Sequence, residues 1–219
     1  MKKMFFGILL ISIFQIYVLY GKNDSTSISF RYGFENKEVA ILADFMNVSK
    51  ISFEFDGDNL LNKLVIFSID EYKDGKLIES KPFFKCRNKN IKSNNSKTID
   101  LPDPCEDYMK YTGEFKEYIF NFIIKMINSD TALFRCNYPT NMTYNKLVTD
   151  FPPQQKIVMY PMFNKRFPLN RKKPFIAITT GYHQDMKNTY YCTLLSKPVE
   201  QWYNAFDIKH YYVIYLEIK

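Results

Sequence analysis

Apolar residues in this chain recur at every second position far more often than at every third or fourth, and that spacing commits most of it to strands. Residues 51–55 read Ile, Ser, Phe, Glu, Phe. Between Leu64 and Tyr72, Val65, Phe67 and Ile69 fall on one face and Ser68 and Asp70 on the other. Asp74-Gly75 comes next, followed by a second strand-like run over 77–84. Two such runs around Asp-Gly are the strongest short hairpin signal a sequence carries. Residues 51–84 are therefore predicted to form a three-stranded antiparallel meander, with Asp56-Gly57-Asp58-Asn59 in its first connection.

The rest of the chain continues in the same manner. Residues 87–104 are polar, rich in Asn and Lys, and end in Pro102 and Pro104, which reads as a loop. Tyr118, Phe120, Phe122, Ile124 and Met126 then alternate with Asn121 and Lys125. A buried helix is the alternative, but the aromatic and β-branched content favours a hairpin that turns at Asn128-Ser129-Asp130 and returns over 131–136. Five of the ten prolines lie between Pro152 and Pro174, so this stretch is no central strand. It is either a crossover or a linker between two sandwich-like halves. Strands are predicted over 174–180 and, after a turn at 182–188, over 189–195. A short helix is predicted near 199–206 and a strongly apolar last strand over 211–218. The expected fold is all-β, an antiparallel sandwich with a few short helical turns. Its β-rich N-terminal part covers 22–150, the proline-rich crossover 151–174, and C-terminal strands completing the same domain 175–219.

The N-terminus predicts where this sandwich works. Lys2 and Lys3 precede a run from Met4 to Tyr20 broken only by Gly7, Ser12 and Gln15, and the small residue Gly21 follows. Charged, apolar and small regions in that order are the grammar of a signal peptide, expected here over residues 1–21. An uncleaved anchor is the alternative, since the run sits at the short limit for a membrane helix. The expected location is the periplasm or the extracellular space. Cleavage leaves about 200 residues, enough to bury about 70% of the unfolded surface. Seventeen Tyr and twenty Phe against seven Gly argue for a packed core rather than disorder.

Four cysteines, Cys86, Cys105, Cys136 and Cys192, suit an exported chain with two disulfides. The expected pairs are Cys86–Cys105 and Cys136–Cys192, the first closing the polar loop at a gain of about 3 kcal/mol. Four buried thiols are the other reading.

No motif commits the chain to a reaction, metal or cofactor. Counted as a calcium loop from Asp56, the sixth and twelfth places hold Leu61 and Phe67 where Gly and Glu are needed. His183 and His210 are the only histidines and lack metal-ligand spacing. His183 and Cys192 flank one predicted turn, yet an exported cysteine is more often in a disulfide than a nucleophile. Asp70, Glu71 and Glu79 are the densest acids on predicted strands, but any hairpin would bring them within the 5 to 9 Å a glycosidase needs. Trp202, Tyr203, Phe206, Tyr211 and Tyr212 form an aromatic cluster that suits sugar stacking and, more commonly, a core. Four Asn-x-Ser/Thr sequons, at Asn23, Asn47, Asn94 and Asn141, have meaning only in a eukaryotic secretory pathway, and the Met-Lys-Lys start is bacterial in style.

The net charge is +7, or +5 once Lys2 and Lys3 are set aside. Its densest contribution is Lys165, Arg166, Arg171, Lys172 and Lys173, bracketed by Phe163, Phe167 and Phe175. These five cations are candidate contacts for a polyanion, with a solvated connection as the ordinary alternative. The expected partner is an acidic glycan, a lipid headgroup or an envelope protein, and not nucleic acid. The hairpin from Asp70 to Ile78 and the ending His210-Tyr211-Tyr212-Val213-Ile214-Tyr215 resemble uncharacterised small exported proteins of Bacteroides-type bacteria. That resemblance implies export and carries over no catalytic residue. The expected function is a non-enzymatic exported binding or interaction module, without cofactor. The alternatives are a hydrolase of glycan or cell-envelope material and a surface protein that keeps its leader as an anchor.

Overall fold

The computed structural model describes residues 25–56, 60, 63–83, 108–110, 118–138, 141–149, 157–180, 183–184, 188–189 and 194–219. They form two antiparallel sheets packed face to face, so the all-β sandwich expected from the alternation is the observed fold.

The first sheet has the order β10-β1-β2-β6-β7-β8. Its strands are β1 (Ser25–Tyr32), β2 (Val48–Phe55), β6 (Tyr118–Met126), β7 (Thr131–Tyr138), β8 (Asn141–Val148) and β10 (Arg166–Pro168). The second sheet has the order β4-β3-β14-β11-β9, with β5 also paired to β3. It comprises β3 (Leu64–Lys73), β4 (Lys76–Pro82), β5 (Tyr108–Lys110), β9 (Ile157–Pro161), β11 (Lys173–Thr180) and β14 (His210–Ile218). A two-residue ribbon joins β12 (His183–Gln184) to β13 (Asn188–Thr189).

Alternation becomes a core in the expected way. Tyr118, Phe120, Phe122 and Ile124 of β6 point inward beside Ile51, Phe53 and Phe55 of β2. Phe67 and Ile69 of β3, Phe175 of β11 and Ile214 of β14 meet them from the opposite sheet. Rings interlock across the gap, with centroids 4.5 Å apart for Phe53–Phe175 and 5.8 Å for Phe67–Phe122. Strands from both sides of the proline-rich stretch supply this one core cluster.

The second sheet is covered on its outer face as well. Tyr211 and Val213 of β14 and Ala177 of β11 bury against Leu194, Val199, Trp202 and Ile208. The first three come from 3-10 turns at Leu194–Ser196 and Val199–Gln201 and from helix α2 (Trp202–Phe206), where a short helix was expected, and Ile208 lies between that helix and β14. Burial on both faces explains why β14 reads as an almost unbroken apolar run. The Trp202 indole donates to the carbonyls of Leu194 and Lys197, each at 3.2 Å, and locks the cap in place.

Both predicted hairpins form. Asp74 and Gly75 have φ of 49° and 75°, as a two-residue turn with left-handed backbone requires. The β6–β7 hairpin turns at residues 127–130. Two expectations change, and two features are additions to them. The meander over 51–84 does not exist, because β2 lies between β1 and β6 in the first sheet while β3 and β4 pair in the second. Alternation tells which side of a strand is buried and does not tell which strand lies beside it. The proline-rich stretch is not wholly loop: β9 and β10 end the second and first sheets respectively, the edge positions proline tolerates. The chain therefore crosses from one sheet to the other and back through β9, β10 and β11. Finally, Leu194 and Leu195 lie in a 3-10 turn rather than a return strand, and a helix, α1 (Lys37–Phe45), stands between β1 and β2.

Candidate functional site

The sandwich is open at one edge, and the open edge is concave. Ile28, Phe30 and Tyr32 follow one another on one side of β1. Ile28 is buried, but Phe30 and Tyr32 are 38% and 57% exposed because no strand covers them. Across the gap stand Tyr160 and Pro161 at the end of β9 and Phe163, Asn164 and Lys165 in the connection to β10. Leu195, from the outer cap, closes one side. Together they line an open cavity of about 550 Å³, within the range of small-molecule sites.

Its floor is the aromatic core itself. Phe163 stacks on Phe175 at 5.1 Å with planes 6° apart and lies 5.9 Å from Phe53. Phe30 is 6.4 Å from Phe163 and 5.7 Å from Tyr32. The backbone carbonyl of Lys165 accepts from the Ile28 amide at 3.0 Å, which fixes the connection against β1. Lys165 is the single formal charge among the described lining residues. A second hollow of about 250 Å³ shares Tyr32 and runs under α1, past Phe34 and Ala43. Lys50 lies 5.4 Å over the Phe34 ring at its side.

The five candidate cations do not act as one group. Lys165 opens to the cavity, Arg166 begins β10 in the first sheet, and Arg171, Lys172 and Lys173 lead into β11 in the second. Lys172 has local partners. Its ammonium is 3.9 Å from Asp70 and 4.8 Å over the Tyr215 ring.

That contact belongs to a polar cluster on the outer face of the second sheet. Ser80 donates to Asp70 at 2.6 Å, and the hydroxyls of Tyr72 and Tyr215 lie 3.2 Å apart. Tyr72 stacks on Tyr211 at 5.1 Å. Burial, more than any neighbouring charge, pushes the phenols of Tyr72, Tyr211 and Tyr215 above their ordinary value. They remain neutral hydrogen-bonding groups at physiological pH and offer no phenolate for chemistry.

Of the three candidate acids Asp70 is set apart, while Glu71 and Glu79 stand directly opposite each other across β3 and β4. Asp70 takes Ser80, Glu71 lies 2.9 Å from His210, and Glu79 pairs with Lys81 at 2.8 Å. Asp70 and Glu71 are consecutive on a strand and so face opposite ways. Among the described residues no three of His, Cys, Asp and Glu converge on a metal-sized site. Of the aromatic cluster, Trp202, Tyr211 and Tyr212 are core residues.

Cys136 is a free thiol, fully buried on β7, so the expected Cys136–Cys192 pair is not made. Its side chain fills the inward position opposite Phe122, where the alternation calls for a small apolar group. Burial raises the thiol well above its usual range. Cys86, Cys105 and Cys192 lie outside the described residues, as do residues 1–24, and His183 is described by its backbone alone. No helix among the described residues is long and apolar enough to cross a membrane.

Of the cavity's residues, sequence reading singled out Lys165 and Phe163. Phe30, Tyr32 and Leu195 went unremarked. The signal for the first two was present: β1 alternates as Ile, Phe, Tyr at 28, 30 and 32. No protein-family model, no curated protein and no solved structure matches this chain.

Proposed function

We propose that this is an exported binding module whose ligand is an apolar molecule with an anionic end, held in the cavity between β1 and β9. The charged-apolar-small order of residues 2–21 supports export. The observation that carries the binding reading is the cavity's make-up: Phe30, Tyr32, Tyr160, Pro161, Phe163 and Leu195 around one cation, Lys165. A mostly apolar pocket with a few placed polar groups, here Asn164 and Lys165, is the usual form of a small-molecule site. Aromatic walls take an acyl chain or ring, each buried methylene contributing about 0.8 kcal/mol. Lys165 then selects a carboxylate, phosphate or sulfate at the exposed end. An anionic lipid or lipid-like amphiphile fits both demands.

The test is a calorimetric titration of the full chain with laurate and, in parallel, with dodecanol below its solubility limit. Laurate binds saturably with one site per chain, and dodecanol binds more weakly. Tyr32→Asp and Leu195→Asp, both at exposed positions, weaken both ligands about tenfold or more by placing a charge in the apolar wall. Lys165→Glu weakens laurate while leaving dodecanol nearly unchanged. Absence of saturable binding, or equal effects of Lys165→Glu on both ligands, would overturn the reading.

A further inference from the structure

Helix α1 packs on the protein through its smallest residues. Ala43 is buried and Ala40 half-buried, while Val39, Ile41, Leu42 and Phe45 are exposed. Alanine carries nothing beyond Cβ, so the space that a longer side chain would fill stays open as the hollow of about 250 Å³ beneath the helix. The roof over that hollow is fixed at both ends. The Asn36 side chain accepts from the amides of Glu38 and Val39 at 2.9 and 3.1 Å, and the Asn47 amide donates to the Asp44 carbonyl at 3.0 Å.

The hollow and the cavity between β1 and β9 abut along both of their walls. On the β1 side the cavity is lined by Phe30 and Tyr32, and the hollow by Tyr32, Gly33 and Phe34. On the β9 side the cavity takes Tyr160 and Pro161, and the hollow Val158 and Met159. Each wall runs on from one space to the next, and Tyr32 is the residue both spaces share. Its side chain is 57% exposed, so turning it aside costs little burial. Past Tyr32 the chain keeps its place beside β2, with the Gly33 amide donating to the Lys50 carbonyl at 2.9 Å. Beyond Val158 the Ser49 hydroxyl donates to the Ile157 carbonyl at 3.1 Å and ties β2 to β9 at the far end.

We infer, resting on the binding reading above, that the two spaces form one groove for a long single-chain amphiphile, with its acid group at Lys165 and its chain passing Tyr32 to end beneath α1. Charge sets the direction. Lys165 stands exposed at the cavity end. The hollow also has a cation, Lys50, but its ammonium is drawn over the Phe34 ring at 5.4 Å. The carboxylate of Asp44 lines the same hollow and repels an acid group there. Apolar burial sets the length. Val48, Val158 and Met159 face the two alanines, and the Ser49 hydroxyl is already committed to Ile157. A chain with methylenes to spare gains by drawing them out of water into such a wall.

Calorimetric titration of the full chain with laurate and with palmitate, each below the concentration at which it forms micelles, tests this. Palmitate binds more tightly, by up to roughly fourfold for each added methylene that is fully buried. Ala40→Leu fills the hollow and shrinks the ratio of palmitate to laurate affinity about tenfold or more. A misfolded variant would lose both ligands alike, and a second readout needs no variant. Stearate carrying a nitroxide near its methyl end broadens the amide resonances of residues 33–34, 40–44 and 158–159. Stearate carrying it near the carboxylate broadens those of residues 163–165. Failure of laurate itself to bind would remove the binding reading and this inference with it. Saturable laurate binding with palmitate no tighter would overturn the inference alone. So would a palmitate advantage that survives Ale40-independent filling of the hollow in Ala40→Leu, or a methyl-end label that broadens residues 163–165 instead.

Discussion

Gly75 is required for two separate reasons. Its φ of 75° is one that side chains with a Cβ rarely adopt, and a Cβ there would lie 3.2 Å from both the Glu200 carbonyl oxygen and the Tyr203 Cβ. The first hairpin of the second sheet therefore abuts the outer cap through this residue. Gly75→Ala is expected to cost about 1–2 kcal/mol, read as a lower denaturant midpoint at unchanged slope. An unaltered midpoint would show that the turn and cap do not touch. Cys136 illustrates how burial sets reactivity. With its thiol raised by burial on β7, it should resist iodoacetamide in the folded protein and react only after unfolding. Rapid native-state labelling traced to Cys136 by peptide mass would contradict its placement. The three buried phenols make a prediction about pH. Their folded values lie above the ordinary 10.0, so above that pH the unfolded chain gives up phenolic protons that the folded chain retains. Their contribution to stability is intact below about pH 10 and is lost as the pH rises through the folded values. The melting temperature should hold steady to about pH 9.5 and fall beyond it, less steeply in Tyr215→Phe. A melting curve indifferent to pH in that range would remove the buried cluster.

Hairpins were the most legible elements because their information is local. Asp74-Gly75 and Asn128-Ser129-Asp130 name their own turns, and the flanking alternation supplies the strands. The placement of β2 was not legible. Its alternation says that Ile51, Phe53 and Phe55 face a core, yet only tertiary packing decides that β1 and β6 are its neighbours instead of β3. β9 and β10 were obscured by prolines that mark strand ends here, at Pro161 and Pro168. Helix α1 went unseen for a different reason. Its large apolar residues point away from the protein, so the pattern that announces a core-facing helix is absent. This makes a prediction about the element itself. Leu42→Ala should change stability by less than about 0.5 kcal/mol. Ala43→Leu, on the face that packs, should cost about 1–3 kcal/mol. Chemical denaturation of both variants reads the difference, and the reverse order would mean the helix sits the other way round.

At the scale of the whole molecule, the fold has a two-sheet core, a cap over one outer face, and one edge left unroofed. The aromatic core reaches that edge through Phe163 and spills into a cavity. Composition announced the abundance of rings but not this use of them, because Phe30, Phe163 and Leu195 are far apart in sequence and meet only once both sheets have formed. The same distance explains why the basic stretch looked like one site and is not. A crossover between sheets separates Lys165 and Arg166 from Arg171, Lys172 and Lys173. Chemical-shift mapping of the isotope-labelled full chain during a laurate titration would locate the ligand. Shifts that saturate together and centre on Phe30, Tyr32, residues 160–165 and Leu195 are the predicted outcome. Shifts that centre on the Tyr72–Tyr215 face or on α1, or that never saturate, would contradict a ligand seated between β1 and β9.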